Sequence, residues 1–145
     1  EGPDEAAQTV TKVGFALPEA KGLAEIEADC RQAGTALGLA VDFRQTNHEG
    51  VLVDWIQEAK AKGAAGILLN AAGYTTTSIA ILDAILAVQL PTIEVHITNI
   101  HARESFRHNS YVSKAARAVI AGFGTDSYRL AIIGLAGMVG AKEQH

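Results

Sequence analysis

The feature of this 145-residue chain that most constrains its fold is a regular alternation of short apolar runs with amphipathic segments of helical period. Residues 23–37 carry apolar side chains at helical spacing, and Gly38 ends that helix. Residues 39–44 are predicted to form a strand, and residues 51–62 a second amphipathic helix. Residues 66–70 form a continuous apolar run, which is typical of a strand that is buried on both faces.

The second half of the chain continues the same alternation. Ser78 is placed to cap a helix, and Pro91 ends it. Residues 92–98 alternate and contain β-branched residues, which predicts a strand. The other predicted elements are a polar segment over 99–113, helical turns over 114–118, a strand over 119–124 that breaks into glycines, and a helix over 126–139.

Strands and helices that alternate in this way form a parallel sheet with right-handed crossovers. With residues 9–17 as the first strand, the prediction is a single α/β domain over 1–145. Its expected architecture is a flavodoxin-like three-layer sandwich around a five-stranded parallel sheet. Ligands bind such folds beyond the carboxyl ends of the strands. We therefore expect Asn70, the end of the 92–98 strand and the glycines after Ile120 to surround one crevice.

Charge and composition argue against several classes of function. Twelve Lys and Arg are outnumbered by sixteen Asp and Glu, and no basic run exists to follow a phosphate backbone, so no nucleic-acid partner is expected. No stretch of about 18 apolar residues occurs, so no membrane partner is expected. Cys30 is the single cysteine and cannot form an internal disulfide, which favours a reducing, cytoplasmic location. The acidic start of the chain does not resemble a secretory signal.

Glu94 and His96 are the first candidates for chemistry. They lie on one face of the predicted strand, because side chains alternate along a strand. A histidine beside a carboxylate can act as a general acid or base near neutral pH. The alternative is a hydrogen-bonded histidine without a catalytic role. Ile97 and Thr98 follow at the turn, where backbone N–H groups could hold a substrate carboxylate.

Two further candidates come from the predicted crevice. If residues 101–108 are helical, Arg103 and Arg107 lie four residues apart on one face and suit an anionic or polyhydroxylated ligand. A solvated face or a salt bridge between subunits explains them equally well. Asn70 could orient a ligand oxygen, or it could cap the loop that follows it.

Several motifs together resemble one family, type II 3-dehydroquinate dehydratase. The resemblance covers residues 23–137, in the order expected for the family. Its motifs are Gln45-Thr46-Asn47-His48-Glu49-Gly50, Asp54-Trp55-Ile56, Asn70-Ala71-Ala72-Gly73-Tyr74-Thr75, Thr77-Ser78-Ile79-Ala80, Leu82-Asp83-Ala84, and the run from Ile93 through Glu94-Val95-His96-Ile97-Thr98-Asn99 to His108 and Ser110-Tyr111.

The resemblance implies a lyase of the shikimate and quinate pathways that removes water from 3-dehydroquinate by anti elimination through an enolate. The resemblance implies that His96 is the acid that protonates the departing hydroxyl, and that Glu94 is the carboxylate beside it. It implies that Asn70 holds the water that stabilises the enolate. It further implies that Ile97 and Thr98 bind the substrate carboxylate and that Arg107 binds ring hydroxyls. It also implies a dodecamer built from trimers, in which Asp83 reaches the site of a neighbouring subunit. Neither a metal nor a cofactor is implied.

The resemblance fails at the lid that precedes residue 22. The family has an arginine and a tyrosine there, the tyrosine being the base, whereas this chain has Ala16 and Lys21. Glu1-Gly2-Pro3-Asp4 only faintly matches the family's opening motif, and Thr76 replaces a loop histidine. Residues 1–22 are therefore interpreted as a diverged or engineered lid, or as an incorrectly recorded segment. The second function hypothesis is a homologue that binds a quinate-like anion, or serves as an oligomeric scaffold, with little turnover.

Overall fold

The helices and strands follow the predicted alternation. The computed structural model describes the backbone of residues 9–14 and the whole of residues 22–140. None of the helices in these ranges is long and apolar enough to cross a membrane. The elements are β1 (Thr9–Gly14), α1 (Leu23–Ala36), β2 (Ala40–Phe43), α2 (Glu49–Ala59), β3 (Ala64–Asn70), α3 (Ile79–Val88), β4 (Thr92–His96), β5 (Ala118–Ala121) and α4 (Asp126–Val139), with 3₁₀ turns at Ala72–Thr76, Ile100–Ala102, Ser105–His108 and Val112–Lys114.

The strands form one parallel sheet in the order β2-β1-β3-β4-β5. The order reverses direction next to β1, because the chain first adds β2 on one side and then crosses over to add β3, β4 and β5 on the other. This order is that of the flavodoxin-like doubly wound fold. The predicted α/β class with a parallel sheet is confirmed.

Two hydrophobic layers flank the sheet, and β3 supplies both. Leu68 packs into the layer under α1 and α4, whereas its neighbours Ile67 and Leu69 pack into the layer under α2 and α3. All three leucine and isoleucine side chains are fully buried. The apolar run in β3 is therefore continuous because both of its faces lie against helices.

Ser78 caps α3 as the sequence predicts. Its side-chain oxygen accepts a hydrogen bond from the backbone N–H of Ile81 at 3.0 Å. The same hydroxyl donates to Glu49 at the start of α2. One residue thus fixes the beginning of α3 and ties it to α2. Cys30 is buried in the core, as its place on the helical stripe predicts.

Several predicted boundaries are shifted, including those of the second helix, which spans Glu49–Ala59 instead of 51–62, and of the last strand, which ends at Ala121 instead of residue 124. Hydrogen bonds account for the shifts at the end of β4 and the start of β5. The β4 strand ends at His96 instead of residue 98, because Asn99 caps the 3₁₀ turn that follows through the N–H of His101. The predicted helical turns at 114–118 lie earlier, at Val112–Lys114. The backbone N–H of Arg117 then donates to the carbonyl of Thr92, which draws the chain into β5 from Ala118. Of the predicted first strand, residues 15–17 lie outside the described residues.

We predict that Gly66→Ala destabilises the protein. A Cβ at this position would lie 2.6 Å from Leu135 Cδ1 and 2.9 Å from the carbonyl oxygen of Pro91. Overpacking of this kind costs about 1–3 kcal/mol. Urea unfolding at fixed protein concentration measures the loss.

Gly137→Ala is the matched control for this prediction. Gly137 lies inside α4, where a Cβ added to it would have no neighbouring atom within 4 Å. Alanine there should raise the free energy of unfolding by about 0.5–1 kcal/mol, since glycine weakens a helix interior. Equal effects of the two substitutions would contradict the packing described around β3.

Candidate active site

A cleft of about 630 Å³ opens at the carboxyl edge of the sheet, beyond β3 and β4. This volume is in the range of small-molecule sites. Each strand contributes its last residue, Asn70 from β3 and His96 from β4, because parallel strands end at the same edge. The rest of the wall comes from the loops that follow them: Ala72, Gly73, Thr75, Thr76, Ile97, Thr98, Ile100, Arg103 and Arg107.

The cleft is lined by most of the candidate residues, but the glycines after Ile120, which the sequence predicts beside it, are not on its wall. Asn70, His96, Ile97, Thr98 and Arg107 line one cleft. The two remaining candidates lie elsewhere: Glu94 is buried next to His96, and Asp83 is on the exposed face of α3, outside the cleft.

His96 and Glu94 form a buried pair at the base of this cleft. His96 Nε2 lies 2.5 Å from Glu94 Oε2. The Glu94 side chain is fully buried, and His96 is 6% exposed. The two residues are two positions apart in β4, so the strand geometry alone puts them side by side. The pair has the form of a histidine oriented by a buried carboxylate.

Two serine hydroxyls complete the surroundings of Glu94. Ser110 Oγ donates to Oε2 at 2.9 Å, and Ser113 Oγ donates to Oε1. Burial by itself raises the pKa of Glu94, but the hydrogen bonds from His96, Ser113 and Ser110 outweigh it, and the pKa lies below its ordinary value of 4.5. Glu94 is therefore a carboxylate at neutral pH although no part of it reaches solvent.

Both the nitrogen and the oxygen of the Asn70 side-chain amide are hydrogen-bonded within the protein. Its Nδ2 donates to Tyr128 Oη at 2.8 Å, and its Oδ1 accepts from the backbone N–H of Ala72 at 3.0 Å. Burial raises the pKa of Tyr128 to about 12, so its hydroxyl stays neutral. The predicted capping of the loop is thus present in a side chain that also lines the cleft. A second N–H and a second lone pair of the amide are left for a ligand or a water.

Arg103 and Arg107 line the cleft as predicted, but the backbone that carries them is not the predicted single helix. Residues 101–108 are not one helix: the 3₁₀ turns Ile100–Ala102 and Ser105–His108 are separated by Arg103 and Glu104. Arg107 Nε pairs with Glu104 Oε1 at 2.7 Å, and Arg103 Nη1 lies 3.4 Å from Thr98 Oγ1. Both guanidinium groups line the cleft and give it positive charge suited to an anion.

Thr76, which replaces the loop histidine of the resembled family, is on the cleft wall, where its hydroxyl donates to the carbonyl of Gly73 at 3.2 Å. The lid positions Ala16 and Lys21 lie outside the described residues, as does the segment Glu1–Asp4. Within residues 22–140 no group of three or more His, Cys, Asp or Glu side chains is placed to hold a metal ion.

Sequence reasoning does not identify the partners of the site. Ser110 belongs to a motif without a role of its own, Ser113 only ends a polar segment, and Tyr128 corresponds to a position that is not catalytic in the resembled family. A signal for the serines exists: a carboxylate inside a predicted strand of a buried sheet must find hydrogen-bond donors, and Ser110 and Ser113 follow it in a polar segment. Nothing in the local sequence links Tyr128 to Asn70, which is 58 residues away.

The fold and the cleft define a class of protein: an α/β enzyme of the flavodoxin-like type, with a histidine bonded to a buried carboxylate and two arginines on the cleft wall. Comparison with known proteins identifies the family. The family model described as "Dehydroquinase class II" matches residues 17–136. The chain belongs to the class II dehydroquinase family.

Individual relatives agree with this assignment. A "3-dehydroquinate dehydratase" of Bradyrhizobium sp. is 57% identical over 132 residues, covering 89% of this chain and 81% of the relative. One of Nitrobacter winogradskyi is 59% identical and covers 83% and 78%. The crystal structure of the type II dehydroquinase from Propionibacterium acnes superposes with a TM-score of 0.82 at 35% identity, covering 90% of this chain and 98% of that one.

The lowered pKa of Glu94 predicts a direction for the pH dependence of stability. The unfolded chain takes up this proton near pH 4.5, whereas the folded protein resists it. The stabilisation is therefore complete above that pH and is lost as the pH falls through the lower folded value. Urea unfolding at pH 7 and pH 4 should show a smaller drop in Glu94→Gln than in the wild type. Glu25→Gln, an exposed position in α1, should keep the wild-type drop, and an unchanged drop in Glu94→Gln would contradict the assignment.

Proposed function

We propose that this chain catalyses the step named by its relatives, the dehydration of 3-dehydroquinate to 3-dehydroshikimate in the shikimate pathway. The observation that carries the proposal is the buried Glu94–His96 pair beside a cleft whose wall contains Arg103 and Arg107. Membership of the class II dehydroquinase family supports the same reaction. No metal or cofactor takes part in the proposed chemistry.

His96 is proposed as the general acid. In the anti elimination a base removes the C2 proton, an enolate forms, and the C1 hydroxyl leaves. His96 gives that hydroxyl a proton, so the leaving group is water and the histidine ends neutral. Because Nε2 is bound to Glu94, the proton comes from the other ring nitrogen, Nδ1. Glu94 stabilises the protonated ring before the transfer.

The substrate carboxylate is proposed to bind at the turn after β4, through Ile97 and Thr98. Arg107 and Arg103 line the wall next to this turn and supply positive charge for the anion. The Arg107 guanidinium is already oriented by Glu104, which leaves further N–H donors for ring hydroxyls. Guanidinium groups suit such a polyhydroxylated acid because they present several donors in one plane.

Asn70 is proposed to hold the water that stabilises the enolate. Its amide cannot rotate freely, since Tyr128 binds one end and the N–H of Ala72 the other. The remaining N–H is therefore directed by the fold. A donor fixed in advance stabilises developing negative charge without a cost of reorientation during the reaction.

The family places the proton-abstracting base on the lid, and the corresponding positions of this chain, including Lys21, lie outside the described residues. The proposal therefore rests on the acid His96, on Glu94 with its hydrogen-bond donors, and on Asn70.

Asp83 supports a proposed assembly into trimers, which would build a dodecamer. It lies on α3 between Ile79 and Leu86, two large apolar side chains that are each 55% exposed. The three positions are four and three residues apart, so they share one helix face. An apolar face with a central carboxylate fits a subunit contact through which Asp83 reaches a neighbouring cleft.

The proposed reaction predicts the effect of His96→Ala. Turnover of 3-dehydroquinate, followed through the ultraviolet absorbance of the enone product, should fall by about 10²–10⁴-fold, the usual contribution of a general acid. Calorimetric binding of a quinate analogue should persist. His48→Ala, at an exposed position before α2, is the control and should keep the wild-type rate.

Two outcomes would contradict the reaction. Unchanged turnover in His96→Ala would exclude the histidine as the acid. A wild-type protein that binds the analogue without dehydrating 3-dehydroquinate would favour the binding homologue instead.

The proposed assembly predicts that Leu86→Lys dissociates the oligomer. Burying the new ammonium group in the contact is unfavourable, so light scattering should show a lower mass at micromolar concentration. Ala28→Lys, which adds the same charge at an exposed position of α1, should leave the mass unchanged. A wild-type monomer would refute the assembly.

A further inference from the structure

We propose that Ser110 and Ser113 are positioning residues of the acid, which hold Glu94 so that it receives the Nε2–H of His96. The two hydroxyls are called the serine clamp below. The inference rests on the proposed function, because it concerns the residue that protonates the leaving group. It adds two residues that do not touch the cleft lumen and act through Glu94.

The geometry shows why both hydroxyls are needed. Glu94 Oε2 accepts from His96 Nε2 at 2.5 Å and from Ser110 Oγ at 2.9 Å, while Oε1 accepts from Ser113 Oγ. With both carboxylate oxygens bound, Glu94 cannot rotate about its terminal bond without losing a partner. The plane of the carboxylate is therefore fixed, and with it the direction in which the imidazole ring must lie.

Further hydrogen bonds fix the positions of the two serines. The backbone N–H of Ser113 donates to Ser110 Oγ at 3.0 Å, which fixes the orientation of that hydroxyl. A serine hydroxyl has one proton to donate, and at Ser110 it is directed to Glu94. The loop between the serines is anchored too, because the N–H of Tyr111 donates to the carbonyl of Thr75 on the cleft wall at 2.9 Å.

The serine clamp also helps to keep Glu94 charged. Burial favours the protonated form of Glu94, and the three donors oppose this. Without the clamp, His96 alone would oppose burial. The other charged groups near the pair and the serines are Arg103 and Arg107 on the cleft wall and Lys114 next to Ser113. A protonated Glu94 would no longer stabilise the charged imidazole.

The test compares Ser110→Ala/Ser113→Ala with the wild type. The control is Ser127→Ala, which also removes a buried serine hydroxyl that bonds to backbone, at a position away from the cleft wall. Ser113→Thr, which keeps the hydroxyl, is the conservative variant. Three quantities are measured: kcat and KM for 3-dehydroquinate, the pH dependence of kcat, and the proton NMR resonance of the His96 Nε2–H, assigned by its loss in His96→Ala.

We expect kcat of the double variant to fall by roughly 10- to 100-fold with little change in KM, since misplacing a catalytic group by about 1 Å costs on the order of 100-fold. The acidic limb of the kcat profile should move to higher pH, because Glu94 takes up a proton more readily. The Nε2–H resonance should shift or disappear. Ser127→Ala should change none of these, and Ser113→Thr should restore most of the rate lost in Ser113→Ala.

The inference is overturned if the double variant keeps the wild-type Nε2–H resonance, or if its kcat and pH profile match those of Ser127→Ala. If the double variant does not fold, Ser113→Ala alone decides by the same readouts, since Ser113 is at an exposed position. The resonance separates this inference from the proposed function. A wild type without turnover whose resonance still depends on the serines would refute the reaction and support the clamp.

Discussion

The site depends on one interaction, the placement of a fully buried carboxylate where three donors keep it charged. A Glu94 buried in β4 without hydrogen-bond donors would be neutralised by its surroundings. His96, Ser110 and Ser113 reverse that tendency, and their hydrogen bonds lower its pKa below the ordinary value. The charge then faces a histidine at the end of the same strand, at the base of the cleft. The acid chemistry proposed for His96 follows from this arrangement.

The sheet provides the rigid frame for that arrangement. Because β3 and β4 are parallel neighbours, their last residues, Asn70 and His96, meet at one edge. Behind them, Tyr128 of α4 reaches through to Asn70, so a helix on one face of the sheet orients a side chain in the cleft. The loops after the strands bring the two arginines and the turn at Ile97 and Thr98 to the wall of the cleft. A rigid edge with variable loops is the usual way in which this class of fold places its chemistry.

The sequence predicts the frame well because its signals are local. Helical spacing, the apolar run of β3 and the cap at Ser78 each depend on a few neighbouring residues, and all three are present in the structure. Boundaries differ where longer-range hydrogen bonds decide them, as at the start of β5, where Arg117 bonds to Thr92. The hydrogen bond between Asn70 and Tyr128 joins distant parts of the chain, so no pattern in the neighbouring residues predicts it. The serines are within reach of sequence reasoning, since a buried glutamate requires donors.

A double-mutant cycle on kcat with Glu94→Gln, His96→Ala and the combined variant tests the central claim most directly. If the pair acts as one unit, removing the second member after the first costs little more, so the combined loss should be close to that of His96→Ala alone. Losses that multiply would show that Glu94 and His96 act independently, and would contradict an acid that works through its buried carboxylate.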